Sequence, residues 1–203
     1  MWSEHPAWAW WNVTRPMRWA TWGAVGGWWG YGSSYQPVYY DYGETVVYEG
    51  DTVYVDGEPV ASTEDYAQQA MDLAAYGAQT IDTAVQQQTA DQIEWLPLGV
   101  YALTHEQEGE PTMFLQLAVS KEGTIGGTFY NALTNENLAV EGAVDRASQR
   151  AAMIVAGRPE TVLEVGIANL TQDETTALVH FGPDRTETVI LVRMPESQQP
   201  QGQ

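Results

Sequence analysis

The feature that most constrains the fold is a succession of short β-type segments that fills the second half of the chain. Apolar and polar residues alternate there, and turn residues interrupt the runs at regular intervals. The eight candidate strands lie at residues 97–104, 112–120, 124–132, 137–144, 149–156, 160–168, 175–181 and 186–194. Because the turns between them are short, sequential strands are expected to pair as an antiparallel meander.

Eight strands in this order can bury their apolar faces in two ways. They can close into an up-and-down barrel, or they can divide into two packed sheets as a sandwich. Closure removes the exposed edges of the sheet. We therefore predict a mainly β, α+β fold built on an eight-stranded antiparallel barrel, with the sandwich as the alternative.

One long helix is predicted before this region. Ser62 and Asp65 have the spacing of a capping box, and small or apolar residues then recur with a helical period up to about residue 89. Many residues of this stripe are alanine, so another element can approach the helix closely. Upstream, two β-branched and aromatic runs at 45–48 and 52–55 flank a short turn and predict a small hairpin.

Tryptophan is concentrated at the start of the chain. Eight of the nine tryptophans lie in the first 29 residues, at Trp2, Trp8, Trp10, Trp11, Trp19, Trp22, Trp28 and Trp29. No helical or strand period persists there, so we expect an irregular arm. Since eight exposed rings would promote aggregation, most of them should pack onto the helix and the barrel. Trp28, Trp29 and Tyr31, which lie among glycines, are candidate ligand-binding residues.

The predicted organisation of the 203 residues has five parts. They are a Trp/Gly/Tyr-rich arm at 1–44, a small β-hairpin at 45–60, a long amphipathic helix at 61–92, an antiparallel β-barrel domain at 93–195 and a disordered tail at 196–203.

Charge and composition exclude several classes of function. The formal net charge of −19 disfavours nucleic acids and anionic membrane surfaces, and leaves cations, neutral glycans and other proteins as better partners. The chain has no cysteine, and no apolar run approaches the ~18 residues of a membrane span. We therefore expect no disulfide, no thiolate chemistry and no membrane insertion.

No motif specifies a reaction or a cofactor. His105 and Glu106 lack the second histidine of a zinc-binding HExxH helix, and neither a Gly-x-Ser-x-Gly turn nor a phosphate-binding loop is present. His180 lies within a candidate strand, where it either points into the barrel toward a ligand or is a hydrogen-bonded structural histidine. We expect no catalytic residue, metal or cofactor, and a carboxylate-based hydrolase is the third alternative.

Two resemblances add to this interpretation. The segments Asp-Tyr-Gly at 41–43, Val-Tyr-Val-Asp-Gly-Glu-Pro-Val at 53–60 and Trp-Leu-Pro-Leu-Gly-Val-Tyr at 95–101 resemble uncharacterised bacterial proteins of the mu-protocadherin-like, cell-surface family. That resemblance implies an extracytoplasmic or envelope setting and carries no established activity. Residues 117–130 are similar to an early hairpin of avidin-type barrels, which implies an avidin- or lipocalin-like topology. Biotin binding is not implied, because the later strands lack tryptophan.

The sequence therefore predicts a non-enzymatic structural or protein-association module. Its expected location is extracytoplasmic, in the cell envelope or periplasm, at the cell surface or in the secreted fraction. Its expected partners are envelope proteins or a second copy of the chain. This localisation assumes a leader that is absent from the given chain. The alternative is a small-ligand or carbohydrate-binding barrel that uses its mouth or exposed tryptophans, with a neutral glycan as one ligand class.

Overall fold

The structure is a computed structural model that describes residues 18–31, 35–104 and 111–195. Four of the arm tryptophans, His5, His105 and the tail at 196–203 lie outside the described residues. So do the predictions made for them. Within the described ranges, no helix combines the length and apolarity needed to cross a bilayer.

Eight antiparallel strands close into a barrel, so the barrel prediction is confirmed and the sandwich alternative is not. The strands are β4 (Trp95–Thr104), β5 (Met113–Ser120), β6 (Thr124–Asn131), β7 (Glu136–Asp145), β8 (Arg150–Val155), β9 (Arg158–Gly166), β10 (Glu174–Phe181) and β11 (Thr186–Arg193). Each strand pairs with the next one in sequence, and β11 pairs with β4 to complete the ring.

The barrel interior is a packed core and not a channel. Alternate residues of each strand point inward, as the two-residue period of a strand requires. On β5, for example, Leu115, Leu117 and Val119 are at most 2% exposed and belong to one cluster with Tyr101 and Met153. Side chains therefore fill the middle of the barrel.

The predicted long helix, α2 (Thr63–Gln86), packs on the outer wall of the barrel against β7 and β8. Ser62 caps it as expected, because its hydroxyl accepts a hydrogen bond from the Asp65 backbone N–H at 3.0 Å. Its alanine stripe allows a close approach, with Ala70 and Ala74 buried against Ala152 on β8.

The predicted hairpin is a three-stranded sheet of β1 (Val46–Glu49), β2 (Thr52–Val55) and β3 (Glu58–Ser62). Asp56 and Gly57 both have positive φ, at 52° and 81°, which is the geometry of a tight turn that returns the chain as a third strand. Pro59 lacks a backbone N–H, and the edge position of β3 accommodates it.

The described part of the arm contains a short helix, α1 (Trp22–Trp28), where an irregular segment was expected. The Thr21 hydroxyl caps this helix by accepting from the Ala24 N–H at 3.3 Å. Three glycines disfavour the helix locally. Tertiary packing outweighs that preference, because Val25 is fully buried in the barrel cluster.

Candidate functional site

One end of the barrel is plugged by the arm. Trp29, which follows α1, is 9% exposed and belongs to the same apolar cluster as the inward-pointing side chains. Its indole Nε1–H donates to the Ser120 carbonyl at the end of β5, at 3.0 Å. The Ala20 N–H donates to the Pro97 carbonyl near the start of β4, at 2.9 Å. These contacts close the end at which β4 begins and β5 ends.

An arginine joins the arm to two other elements at this end of the barrel. The guanidinium of Arg193, at the end of β11, donates through Nη2 to the Ala20 carbonyl at 2.8 Å and to the Leu98 carbonyl. Its Nη1 donates to the Thr171 carbonyl at 3.2 Å. One side chain thereby joins the arm, β4 and the short 3-10 helix Asn169–Thr171.

The three arm residues predicted to bind a ligand all lie at this plugged end, in different environments. Trp29 is the arm residue that inserts into the barrel core. Trp28 is half-buried, with the Lys121 Nζ 4.9 Å from its ring centroid. Tyr31 is also half-buried and stacks on Tyr35 at 3.9 Å between ring centroids. Ligand binding by this group stays a prediction.

The opposite end of the barrel presents an apolar rim. We use this name for five inward-pointing side chains that lie at the strand termini of this end and are half-buried: Leu103, Met113, Leu138, Val155 and Val179. They come from β4, β5, β7, β8 and β10, so they surround the barrel axis. Directly beneath them, Phe129 is 6% exposed and marks the top of the filled interior.

Two arginines lie beside this open end, and each is paired with a carboxylate. Arg158 Nη2 is 3.1 Å from Glu136 Oε2, and its Cζ lies 5.9 Å from the ring centroid of Phe129. Arg185 pairs with Glu187 and lies 4.6 Å from the ring centroid of Phe181. Both pairs are substantially solvent-exposed, so each is expected to contribute little to stability.

His180 does not point into the barrel. It lies on the outer face of β10, on the same side as Leu178, and is fully buried under the α2 and β1–β3 layer. Its Nε2 is 2.8 Å from Glu164 Oε2, and its Nδ1 is 2.9 Å from Thr186 Oγ1. His180 therefore has the environment of a hydrogen-bonded structural histidine. A ligand-binding role for it stays a prediction.

Glu164 is the centre of this buried network. Its carboxylate accepts from Arg150 Nε and Nη2, both at 3.0 Å, and from the Tyr42 hydroxyl at 3.0 Å. Burial acts to raise the pKa of Glu164, but the hydrogen bond with His180 and the charge of Arg150 outweigh it and hold the pKa below its ordinary value. The buried carboxylate is thus ionised at neutral pH.

The network also joins the outer layer to the barrel. Arg150 Nη1 donates to Gln69 Oε1 at 2.9 Å, and Nη2 donates to the Tyr66 carbonyl at 3.2 Å, both on α2. The guanidinium lies 3.8 Å from the Tyr66 ring centroid. Buried charges are stabilised only when they are paired. The bonds of Arg150 to Glu164 and to α2 therefore fix the position of α2 on the barrel wall.

Thr186, His180 and Glu164 follow one another in the order of a hydroxyl nucleophile, a base and an acid. Catalysis would require a substrate to reach both the hydroxyl and the imidazole. The side chains of His180 and Glu164 are 0% exposed, and Arg150 already neutralises the carboxylate. We therefore interpret the network as structural. Across residues 18–31, 35–104 and 111–195, no group of three or more potential metal ligands occurs.

No local sequence pattern singles out Glu164 or Arg150. Glu164 lies between Leu163 and Val165 in a predicted strand, where an alternating polar residue usually faces solvent. The one sequence feature that indicates burial of Glu164 is its position in a strongly apolar strand. This feature distinguishes a buried charge from a solvent-exposed one only when the position of α2 over that face of the strand is also known.

The fold and these two ends define the class of protein. It is a closed eight-stranded antiparallel barrel with one plugged end, one open apolar end and a helix-and-sheet layer on its outer wall. No family model, curated protein or solved structure matches the chain.

Proposed function

We propose that this chain is a non-enzymatic binding protein that takes a small apolar ligand at the open end of its barrel. The observation that carries the proposal is the apolar rim, in which five inward-pointing apolar side chains are only partly buried at the strand termini. A ligand placed there would remove this surface from water, which is the main source of affinity for apolar molecules.

The filled interior limits how deep the ligand sits. Tyr101 and Leu115, further along the barrel, are at most 2% exposed, so the ligand occupies the mouth. Covering ~250 Å² of apolar surface at ~25 cal/mol/Å² gives about 6 kcal/mol before the cost of association. That gross value alone corresponds to a dissociation constant of about 40 μM, and the cost of association weakens it, so we expect dissociation constants in the millimolar range.

The test is titration calorimetry with neutral straight-chain alcohols of increasing length, with matched variants. Leu138→Asp places a charge on the apolar rim and should abolish binding. Leu133→Asp is the control, because Leu133 is 78% exposed on the adjacent β6–β7 turn and does not belong to the rim. Absence of binding by the wild type, or equal loss in both variants, would refute the proposal.

A second candidate function is neutral glycan binding at the plugged end. Three rings stack there, with Tyr35 between Trp22 at 5.3 Å and Tyr31 at 3.9 Å, and all three are half-buried. Stacked aromatic rings suit the apolar faces of sugars. Tryptophan fluorescence should shift with a binding glycan and should not respond to it in Tyr35→Ala. An unchanged spectrum across a glycan panel would argue against this candidate.

The envelope setting and the protein partners are further proposals. They rest on the resemblance of residues 41–43, 53–60 and 95–101 to cell-surface proteins. Cell fractionation and analytical ultracentrifugation test them together. Recovery of a strict monomer from the cytoplasm alone would count against both.

A further inference from the structure

The α2 helix is held to the barrel unevenly along its length. Of its six buried residues, five lie between Tyr66 and Gly77, and Ile81 is the single one after Gly77 in this fully described helix. The bonds from Arg150 to the Tyr66 carbonyl and to Gln69 also hold the first part. The last nine residues, 78–86, are thus the weakly anchored segment.

The middle of the helix is in direct backbone contact with the barrel. A Cβ atom on Gly77 would lie 1.9 Å from the carbonyl carbon of Gly142 on β7, so the two backbones touch. No side chain separates them. This contact fixes α2 at Gly77 and makes it the natural hinge for movement of residues 78–86.

A pair of carboxylates lies beyond the hinge. Glu141, next to Gly142, is half-buried on the outer face of β7, and the exposed Asp82 on α2 is near enough for its charge to act on Glu141. The register places Gly126 of β6 and Ile154 of β8 beside Glu141, and neither carries a charge.

The proton affinity of Glu141 reflects this environment. Burial, followed by the negative charge of Asp82, raises the pKa of Glu141 to about 7. Asp82 is the single ionisable group of the described residues whose charge acts on this pKa. Within the described part of the chain, no cation offsets the repulsion when both carboxylates are ionised.

We propose that residues 78–86 of α2 open from the barrel as the pH rises through neutrality, with the Gly77–Gly142 contact as the hinge and the half-buried Glu141, in the field of Asp82, as the sensor. A neutral Glu141 is compatible with its half-buried position. An ionised Glu141 requires contact with water. Movement of residues 78–86 away from the barrel admits water with the smallest loss of apolar contact, because Ile81 is the one buried residue of this segment.

The direction follows from the proton balance. Opening exposes Glu141 to water, where its pKa returns toward the ordinary 4.5, so the open form binds fewer protons than the closed form near pH 6. Lower pH therefore favours the closed form, and higher pH favours the open form. The apolar surface uncovered would include Ile81.

Hydrogen exchange on the full chain at pH 6 and pH 8, corrected for intrinsic exchange, tests this proposal. One pH unit above a pKa of about 7, the ionised form predominates by about tenfold, so protection of amides 82–86 should fall by up to about tenfold at pH 8. Amides 66–74 should keep their protection at both pH values, which separates local opening from global unfolding.

Three variants make the test specific. Glu141→Gln and Asp82→Asn should each reduce or remove the pH dependence of amides 82–86. Asp72→Asn is the matched control, because Asp72 is exposed in the first part of α2 and bonds Gln68 at 2.8 Å. The proposal is overturned if wild-type protection is equal at both pH values, if Glu141→Gln retains the dependence, or if Asp72→Asn removes it.

Discussion

The plug at the closed end of the barrel predicts a large difference between two neighbouring tryptophans. Trp29 is 9% exposed and bonds the Ser120 carbonyl, so Trp29→Ala removes nearly a whole ring from the core. Losing ~200 Å² of burial at ~25 cal/mol/Å² costs about 5 kcal/mol, and the lost hydrogen bond adds about 1 kcal/mol. Partial collapse of the end reduces this, so we expect a loss of about 3–5 kcal/mol in the free energy of unfolding.

Urea denaturation followed by circular dichroism measures that loss. Trp28→Ala is the matched control, because Trp28 is only half-buried where it packs against the barrel cluster, and the exposed Lys121 lies over its ring. It should cost under about 2 kcal/mol, since only part of its area is buried. Equal losses in the two variants, or a loss under about 1 kcal/mol for Trp29→Ala, would show that the arm does not close the barrel.

The other two predictions concern the buried network and the helix hinge. Glu164→Gln leaves Arg150 buried without its counterion and should lower the free energy of unfolding by about 3–5 kcal/mol near pH 7. The control is Glu136→Gln, which removes the exposed ion pair with Arg158 and should cost under about 1 kcal/mol. Since folding lowers the pKa of Glu164 from its ordinary 4.5, its contribution is present above that pH and is lost as the pH falls below it. The wild type should therefore lose its advantage over Glu164→Gln in acid, and a constant difference from pH 7 to pH 3 would contradict this. Gly77→Ala should lower the melting temperature despite the better helix propensity of alanine, while Gly23→Ala, with no atom closer than 3.9 Å to its new Cβ, should not.

Much of the barrel could be predicted because each strand carries its own signal. The alternation of Leu115, Leu117 and Val119 between turn residues is a local pattern, and the same three side chains point into the barrel core. The helix start was equally local, since Ser62 caps α2 through a neighbouring backbone N–H. Barrel closure followed from the number and order of strands.

The missed elements depend on contacts that no local pattern encodes. The α1 helix contains three glycines and exists because Val25 and Trp29 are buried at the barrel end. Glu164 lies in a strand whose outer face would normally be wet, and its role depends on α2 covering that face. In both cases tertiary packing decided the outcome against a local preference.

The plug also has a consequence for how the chain folds. The Trp19 Nε1–H donates to the Met194 carbonyl at 3.0 Å across 175 residues, and Arg193 holds the Ala20 carbonyl. The arm is synthesised before the barrel, but its docking surface is completed by the last barrel strand. Seating of the plug must therefore come late, after a costly loop closure, and the barrel end stays unsealed until the whole barrel has been synthesised. During that interval the arm tryptophans are exposed to other chains, which makes this the stage of biogenesis at which protection from aggregation matters most.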